Sequence, residues 1–330
     1  MAGGPSTPAL AAAVAEAGGL GFLGAGYKTA DAVREDIEAV RALTRRPFGL
    51  NLFAPPQPVA DPEAVERFTA TLEREADRSG VPLGEPRHDD DGWGEKLALA
   101  AEMAVPVVSF TFGCPPRGDV RALQQAGAAV WVTVTRPEEA VEAAEAGADA
   151  LVVQGAEAGG HRATFDDAAP GDIGLLALLQ LVQGVVELPL IATGGIATGR
   201  GVAAVLAAGA SAAALGTAFM LCPEAATAPA HRDAIAAPGD TALTRAYTGR
   251  TARGIVNRWL REHDDAPSAY PDIHYVTTKI RVAARAAGDP DGFHLWAGQA
   301  HTLAEPVPAA ELVARLAADA RAALRAATAH

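Results

Sequence analysis

Short apolar runs rich in Val, Ile, Leu and Phe alternate along the chain with longer stretches in which Ala, Glu and Arg recur at helical spacing. The runs fall at residues 20–23, 48–53, 105–112, 129–135, 150–154, 188–193 and 212–220, and each reads as a buried strand. Residues 9–17, 30–42, 62–79, 94–103, 137–146, 171–182 and 199–208 read as helices. Ala126-Gly127-Ala128, Ala146-Gly147-Ala148 and Ala208-Gly209-Ala210 each close a helical stretch just before a run, where glycine enters a left-handed C-cap at least cost. This repeated module predicts an α/β fold of successive βα units around a parallel sheet. Seven strands are one short of a TIM (β/α)8 barrel. The chain opens on loop chemistry, residues 1–8, that feeds a helix at once. A loop of that kind follows a strand, so the first barrel strand is expected upstream of Met1.

Proline and charge break the pattern from 223 to 271. The expected division is therefore a barrel at 1–223, a smaller helical substrate or cap domain at 224–294, and a C-terminal segment at 295–330. In that last segment the amphipathic helix 309–327 packs back on the barrel. A chain of 330 residues can bury such a core without staples. Cys114 and Cys222 form no disulfide framework and have no metal-ligand spacing, so a reducing, cytoplasmic setting and no metal are expected. No basic-then-apolar leader opens the chain, and no apolar run has the length of a membrane span. A formal charge of −13 argues against nucleic-acid partners. Oligomerisation stays open.

The chemistry concentrates at strand ends, where parallel α/β proteins place their sites. The run 150–154 ends in Gln154, followed by Gly155-Ala156-Glu157-Ala158-Gly159-Gly160 and a lone His161. Small residues let a flat ligand approach the backbone, an amide suits the edge of a heterocycle, and histidine exchanges a proton near neutrality. Asn51 has the same strand-end placement. Gly194-Gly195 ends one late run and Leu215-Gly216-Thr217 interrupts the next; such loops bind phosphate through backbone N–H groups. Two motifs read as decoys. Gly19-Leu20-Gly21-Phe22-Leu23-Gly24 spells GxGxxG but has a helix before it and a strand within it, the reverse of a dinucleotide fingerprint. His88-Asp89-Asp90-Asp91 reads as an exposed acidic loop rather than a metal site.

With these residues in view, the chain resembles the nitronate monooxygenase family (2-nitropropane dioxygenases), class I in particular, over nearly its whole length. The resemblance rests on residues 1–8, Ala17-Gly18-Gly19-Leu20-Gly21, Asn51-Leu52-Phe53, Val108-Ser109-Phe110-Thr111-Phe112-Gly113, residues 154–161, Gly194-Gly195-Ile196 and Gly216-Thr217. Later come Tyr247-Thr248-Gly249-Arg250, Arg253-Gly254 and Trp296-Ala297-Gly298-Gln299. It implies an FMN-containing TIM barrel whose phosphate is held by Gly194, Gly195, Ala214, Leu215, Gly216 and Thr217. Asn51, Gln154 and Gly159 then contact the flavin, and His161 faces the ring where substrate binds. Tyr275 and Lys279 resemble a tyrosine–lysine pair near the family's active site. Ala163 and Ala214 depart from the family's usual glycine and glutamine; the second removes a side chain beside the phosphate loop but leaves its backbone donors.

The implied reaction is oxidation of an alkyl nitronate of the propionate 3-nitronate type by O2, through a flavin semiquinone, to a carbonyl product and nitrite. Protonated His161 or Lys279 is expected to hold the anion, and neutral His161 to take the α-proton of a neutral nitroalkane. Two alternatives stand beside this reading. One is an FMN-dependent enoyl-acyl-carrier-protein reductase using NAD(P)H, which resembles Glu-Gly where this chain has Gln154-Gly155. The other is a non-catalytic flavin-binding barrel.

Overall fold

All seven expected runs pair in chain order into one parallel sheet in the computed structural model, which describes residues 1–328. The strands are β1 (Phe22–Gly24), β2 (Gly49–Phe53), β3 (Val107–Thr111), β4 (Ala129–Val134) and β5 (Ala150–Gln154). After a two-residue strand β6 (Gly160–His161) outside this sheet, β7 (Leu190–Thr193) and β8 (Ala212–Ala214) complete it. Register places Asn51 of β2 beside Ser109 of β3, and Gln154 of β5 beside Thr193 of β7. The polar strand ends therefore meet along one rim of a curled, TIM-barrel-like sheet. The edge strands β1 and β8 do not pair with each other. The first two residues lie against β1, since a Cβ on Gly24 would come within 2.8 Å of the Ala2 nitrogen.

Helices cover the outside: α1 (Pro8–Glu16), α2 (Ala30–Leu43), α3 (Pro62–Thr71), α4 (Glu73–Ser79), α5 (Trp93–Glu102), α6 (Arg117–Gln125), α7 (Pro137–Ala146), α8 (Leu175–Gln183) and α9 (Gly199–Ala207). Leu50, Val108 and Phe110 of the sheet pack on Ile37 and Val40 of α2 and Leu99 of α5. On the other flank Val132, Val153 and Ala192 pack on Leu178, Leu179 and Val182 of α8. The GxGxxG glycines are explained by close packing alone. A Cβ on Gly21 would lie 2.0 Å from the Ala11 carbonyl oxygen of α1, and one on Gly19 would lie 2.9 Å from Val14.

The remaining elements are α10 (Pro229–Ala236), β9 (Thr241–Thr244), β10 (Ala252–Ile255), α11 (Arg258–Glu262), α12 (Asp272–Ala287) and α13 (Ala309–Thr328). Three sequence expectations are corrected here. Residues 224–294 are not all helical: β9 and β10 form an antiparallel hairpin that takes β6 as its third strand, in the order β6-β10-β9. Residues 62–79 form two helices that break at Leu72, and α3 packs with the later segment. Val65, Phe68 and Leu72 share a core with Tyr247, Trp259, Ile273 and Val276. The run 212–220 yields only a three-residue strand, because Gly216 turns the chain into a 3₁₀ helix at Thr217–Phe219. Leu312 and Leu316 of α13 pack with Leu10 of α1 and Phe219. Among the described residues no helix is long and apolar enough to cross a membrane.

Candidate active site

A cavity of about 420 Å³ opens at the carboxyl rim of the sheet. Asn51, Gln154, Gly159, His161, Gly194, Gly195, Ala214, Leu215, Gly216 and Thr217 all line it. These residues come from the carboxyl ends of four strands, β2, β5, β7 and β8, and the segments that follow them, and the sheet register brings them together.

Gly194 (φ 122°) and Gly195 (φ 68°) form a left-handed turn leading to α9, whose first turn is capped by Thr198 accepting from Gly201 N–H at 3.1 Å. A Cβ on Gly194 would press within 3.2 Å of both the Ala158 nitrogen and the Gly155 oxygen, so only glycine fits. Thr217 accepts the Gly298 N–H at 3.1 Å, which leaves its hydroxyl hydrogen for an anionic oxygen. Gly160 (φ 77°) has open space where a Cβ would sit, and Gly216 would meet only the Met1 thioether at 3.6 Å. Side chains at these two positions would fill the cradle. Gly155 and Gly159 have another reason to be glycine, packing: their Cβ atoms would strike Glu157 at 2.3 Å and Ala297 at 2.4 Å.

Gln154 does more within the protein than its strand-end position suggests. Its Nε2 donates to the His161 carbonyl at 3.1 Å and its Oε1 accepts the Ala163 N–H at 2.9 Å, so the amide clamps the histidine loop. Buried Arg162 anchors the same loop through Gly155 O at 2.7 Å. Asn51 is held by Ser109 Oγ at 2.9 Å and Thr111 Oγ1 at 2.8 Å. Glu157 caps α8, accepting the Leu175 N–H at 3.0 Å with both carboxylate oxygens.

His161 sits on β6, paired through β10 with Ala252. Its ring lies among Phe112 (5.6 Å), Trp296 (5.4 Å) and Tyr270 (6.1 Å). Nε2 is 2.9 Å from Thr248 Oγ1, whereas Nδ1 has no protein hydrogen bond among the described residues, and the residue lines the cavity. Burial, with Arg250 and Arg281 nearby, pushes its pKa down to about 3. The free site therefore holds a neutral imidazole, which corrects the expectation of a protonated His161 as the anion holder.

The expected pair Tyr275 and Lys279 is also corrected. Tyr275 packs under the Arg87 guanidinium (4.0 Å to the ring centre), Lys279 is exposed, and neither lines the cavity. Both lie on one side of α12, while His274, Thr278, Arg281 and Arg285 turn to the cavity from another. One residue along a helix turns the side chain by about 100°, which separates the two faces. Arg281 donates to Thr277 Oγ1 (2.9 Å) and the His274 carbonyl (3.0 Å), and the neutral His294 ring stands between Arg281 (3.3 Å from Nδ1) and Arg285 (3.0 Å from Nε2), able to accept from one of the two. Neither guanidinium has a carboxylate within ion-pair distance among the described residues. Burial lowers the pKa of Arg281 to about 10, so it remains charged at pH 7. The sequence reading missed these arginines. Their signal was polar residues at 274, 278, 281 and 285, spaced by four, three and four along α12.

The supposed acidic loop is partly structural. Asp91 accepts the Tyr27 N–H at 2.8 Å and pairs with buried Lys96 at 2.7 Å. The only His/Asp/Glu/Cys cluster of metal-binding shape among the described residues is Glu75, Glu262 and His263, where Arg258 already takes Glu75 at 2.7 Å.

A family model for nitronate monooxygenase matches residues 1–319. The chain belongs to the nitronate monooxygenase family. A nitronate monooxygenase from Pseudomonas aeruginosa is 42% identical over 330 aligned residues, covering 96% of this chain and 94% of the relative. One from Paraburkholderia phytofirmans is 40% identical, covering 95% and 88%. Among solved structures, a nitroalkane oxidase from Streptomyces ansochromogenes superposes with a TM-score of 0.97 at 50% identity, covering 99% of this chain and 95% of that one. FabK from Thermotoga maritima superposes with a TM-score of 0.77 at 28% identity, covering 100% and 93%. Membership in this family makes the protein an oxidoreductase that acts on nitronates.

Proposed function

We propose that the protein oxidises alkyl nitronates of the propionate 3-nitronate type with O2, yielding a carbonyl product and nitrite, with FMN as its cofactor. The observation that carries this reading is the pair of cavity-lining guanidiniums, Arg281 and Arg285, without carboxylate partners. A partly buried cation without a counter-charge is costly, and an anionic substrate supplies that charge.

The residues present fit FMN. Open space at Gly160 and Gly216, the left-handed turn at Gly194-Gly195 and the free hydroxyl hydrogen of Thr217 make a cradle for a phosphate and a flat ring. Gly194, Gly195, Leu215, Gly216 and Thr217 would hold the phosphate, with the backbone at Ala214 beside them. Asn51, Gln154 and Gly159 would border the ring. Bound FMN would supply the electron-accepting ring through which the nitronate is oxidised at the expense of O2.

The chain's own groups do the rest. Arg281 and Arg285 hold the anion by field and by hydrogen bond. Phe112 and Trp296 wall the His161 ring and limit water. With a neutral nitroalkane, His161 Nδ1 takes the α-proton: the C–H bond breaks, an N–H bond forms, and the electron pair moves onto the nitro oxygens.

The test is FMN-reconstituted protein mixed with propionate 3-nitronate in air. O2 uptake matched by nitrite release is expected. No nitrite, together with rapid anaerobic bleaching of the flavin by NADPH, would replace this reading with an enoyl-reductase activity.

A further inference from the structure

Thr248 lies in the connection between β9 and β10, far in sequence from His161, and is 2% exposed. Its hydroxyl oxygen is 2.9 Å from His161 Nε2 and 3.3 Å from both the backbone nitrogen and the carbonyl oxygen of Arg250. One arrangement of hydrogens satisfies all four groups. The Arg250 N–H and the His161 Nε2–H donate to the two lone pairs of Oγ1, and the hydroxyl hydrogen goes to the Arg250 carbonyl. The reverse arrangement, with the hydroxyl donating to Nε2, takes that hydrogen from the buried Arg250 carbonyl, and an unpaired buried carbonyl is costly.

From this network we infer that Thr248 is a positioning residue that fixes His161 in its Nε2–H tautomer and so leaves the Nδ1 lone pair bare toward the cavity. The consequence rests on the proposed nitronate chemistry. A bare Nδ1 can take the α-proton of a neutral nitroalkane, whereas a nitronate arrives with that proton already gone. Thr248 therefore governs how well the enzyme uses the protonated form of its substrate relative to the ionised form. The hairpin is built to hold it. Gly249 (φ 75°) makes the turn, and Tyr247 beside it is fully buried, stacked on Trp259 and bonded through its hydroxyl to Asn257 at 2.6 Å.

Two measurements test this. Long-range proton–nitrogen NMR of histidine-labelled protein, with the signal assigned by its loss in His161→Asn, should show Nε2 protonated and Nδ1 bare. Thr248→Val should abolish that preference and Thr248→Ser should keep it. A protonated Nδ1 in the wild type, or an unaltered pattern in Thr248→Val, would overturn the inference. In FMN-loaded protein, the ratio of kcat/KM for nitroethane to that for ethyl nitronate should fall about 10-fold in Thr248→Val and recover in Thr248→Ser. An unchanged ratio, whether or not both rates fall, would overturn it too. A wild type that oxidises neither form would instead sink the proposed function, while the NMR arm still decides the tautomer.

Discussion

His161 combines two properties that pull against each other. Burial and the fields of Arg250 and Arg281 hold it neutral, with a pKa of about 3. The same fields stabilise an anion beside it, so a nitro compound in this cavity gives up its α-proton more readily than in water. Replacing His161 with Asn removes the base, and turnover of neutral nitroethane should fall at least ~100-fold, read by O2 uptake. Arg281→Met keeps much of the volume but removes the charge. The KM for propionate 3-nitronate should rise ~10-fold or more in steady-state assays, because a charged hydrogen-bonding partner is lost. An unchanged KM would mean that the anion is held elsewhere. Of these residues His161 was legible from its glycine-rich strand-end setting. Arg281 was not, because a buried cation on a helix looks like a surface one until its neighbours are known.

At the level of elements, two turns set the site. Gly194 takes a φ of 122° with Ala158 and Gly155 pressed against it. Gly194→Ala should cost about 1–3 kcal/mol in backbone strain and weaken FMN binding, measured by fluorescence titration. Glu157 stands in the same segment as His161 yet serves α8, whose first N–H, that of Leu175, it receives. Glu157→Gln should lower stability by about 1 kcal/mol in urea unfolding, since both the cap and the charge at a helix N-terminus weaken. The strand-to-helix periodicity made the barrel elements readable. The hairpin of β9 and β10 escaped, because its strands are four residues long and carry polar Thr and Arg. Their strand identity comes from pairing with each other and, for β10, with β6, not from an apolar run.

At the scale of the whole molecule, the pKa of four histidines among the described residues is pushed down by burial. Burial is the first cause in each: it takes His231 to about 4, His274 to about 2, His161 to about 3, and His294 well below its ordinary value. An unfolded chain binds protons at these sites near pH 6.5, which the native state refuses. Stability from this source is therefore complete above pH 6.5 and is lost as pH falls toward the folded values. Between pH 7 and pH 5 His161 alone should cost on the order of 2 kcal/mol, and the other three add in the same direction. Urea midpoints should fall across that range, with a shallower slope in His161→Asn. A flat profile would show that these imidazoles are protonated in the folded protein.

The sequence by itself determined the alternation of strand and helix, the polar residues at strand ends, and the glycines of the turns, since these follow from local spacing and backbone freedom. Sheet register then brings Asn51, Gln154, Gly194 and Thr217 to one rim, as strand order alone suggested it would. Only the tertiary structure decided which face of α12 looks inward, and so why Arg281 rather than Lys279 meets the cavity. It alone placed Thr248, 87 residues away in sequence, on the histidine ring. Such choices depend on contacts between segments that do not neighbour each other along the chain. Charge, tautomer and pKa are properties of those contacts rather than of the residues themselves.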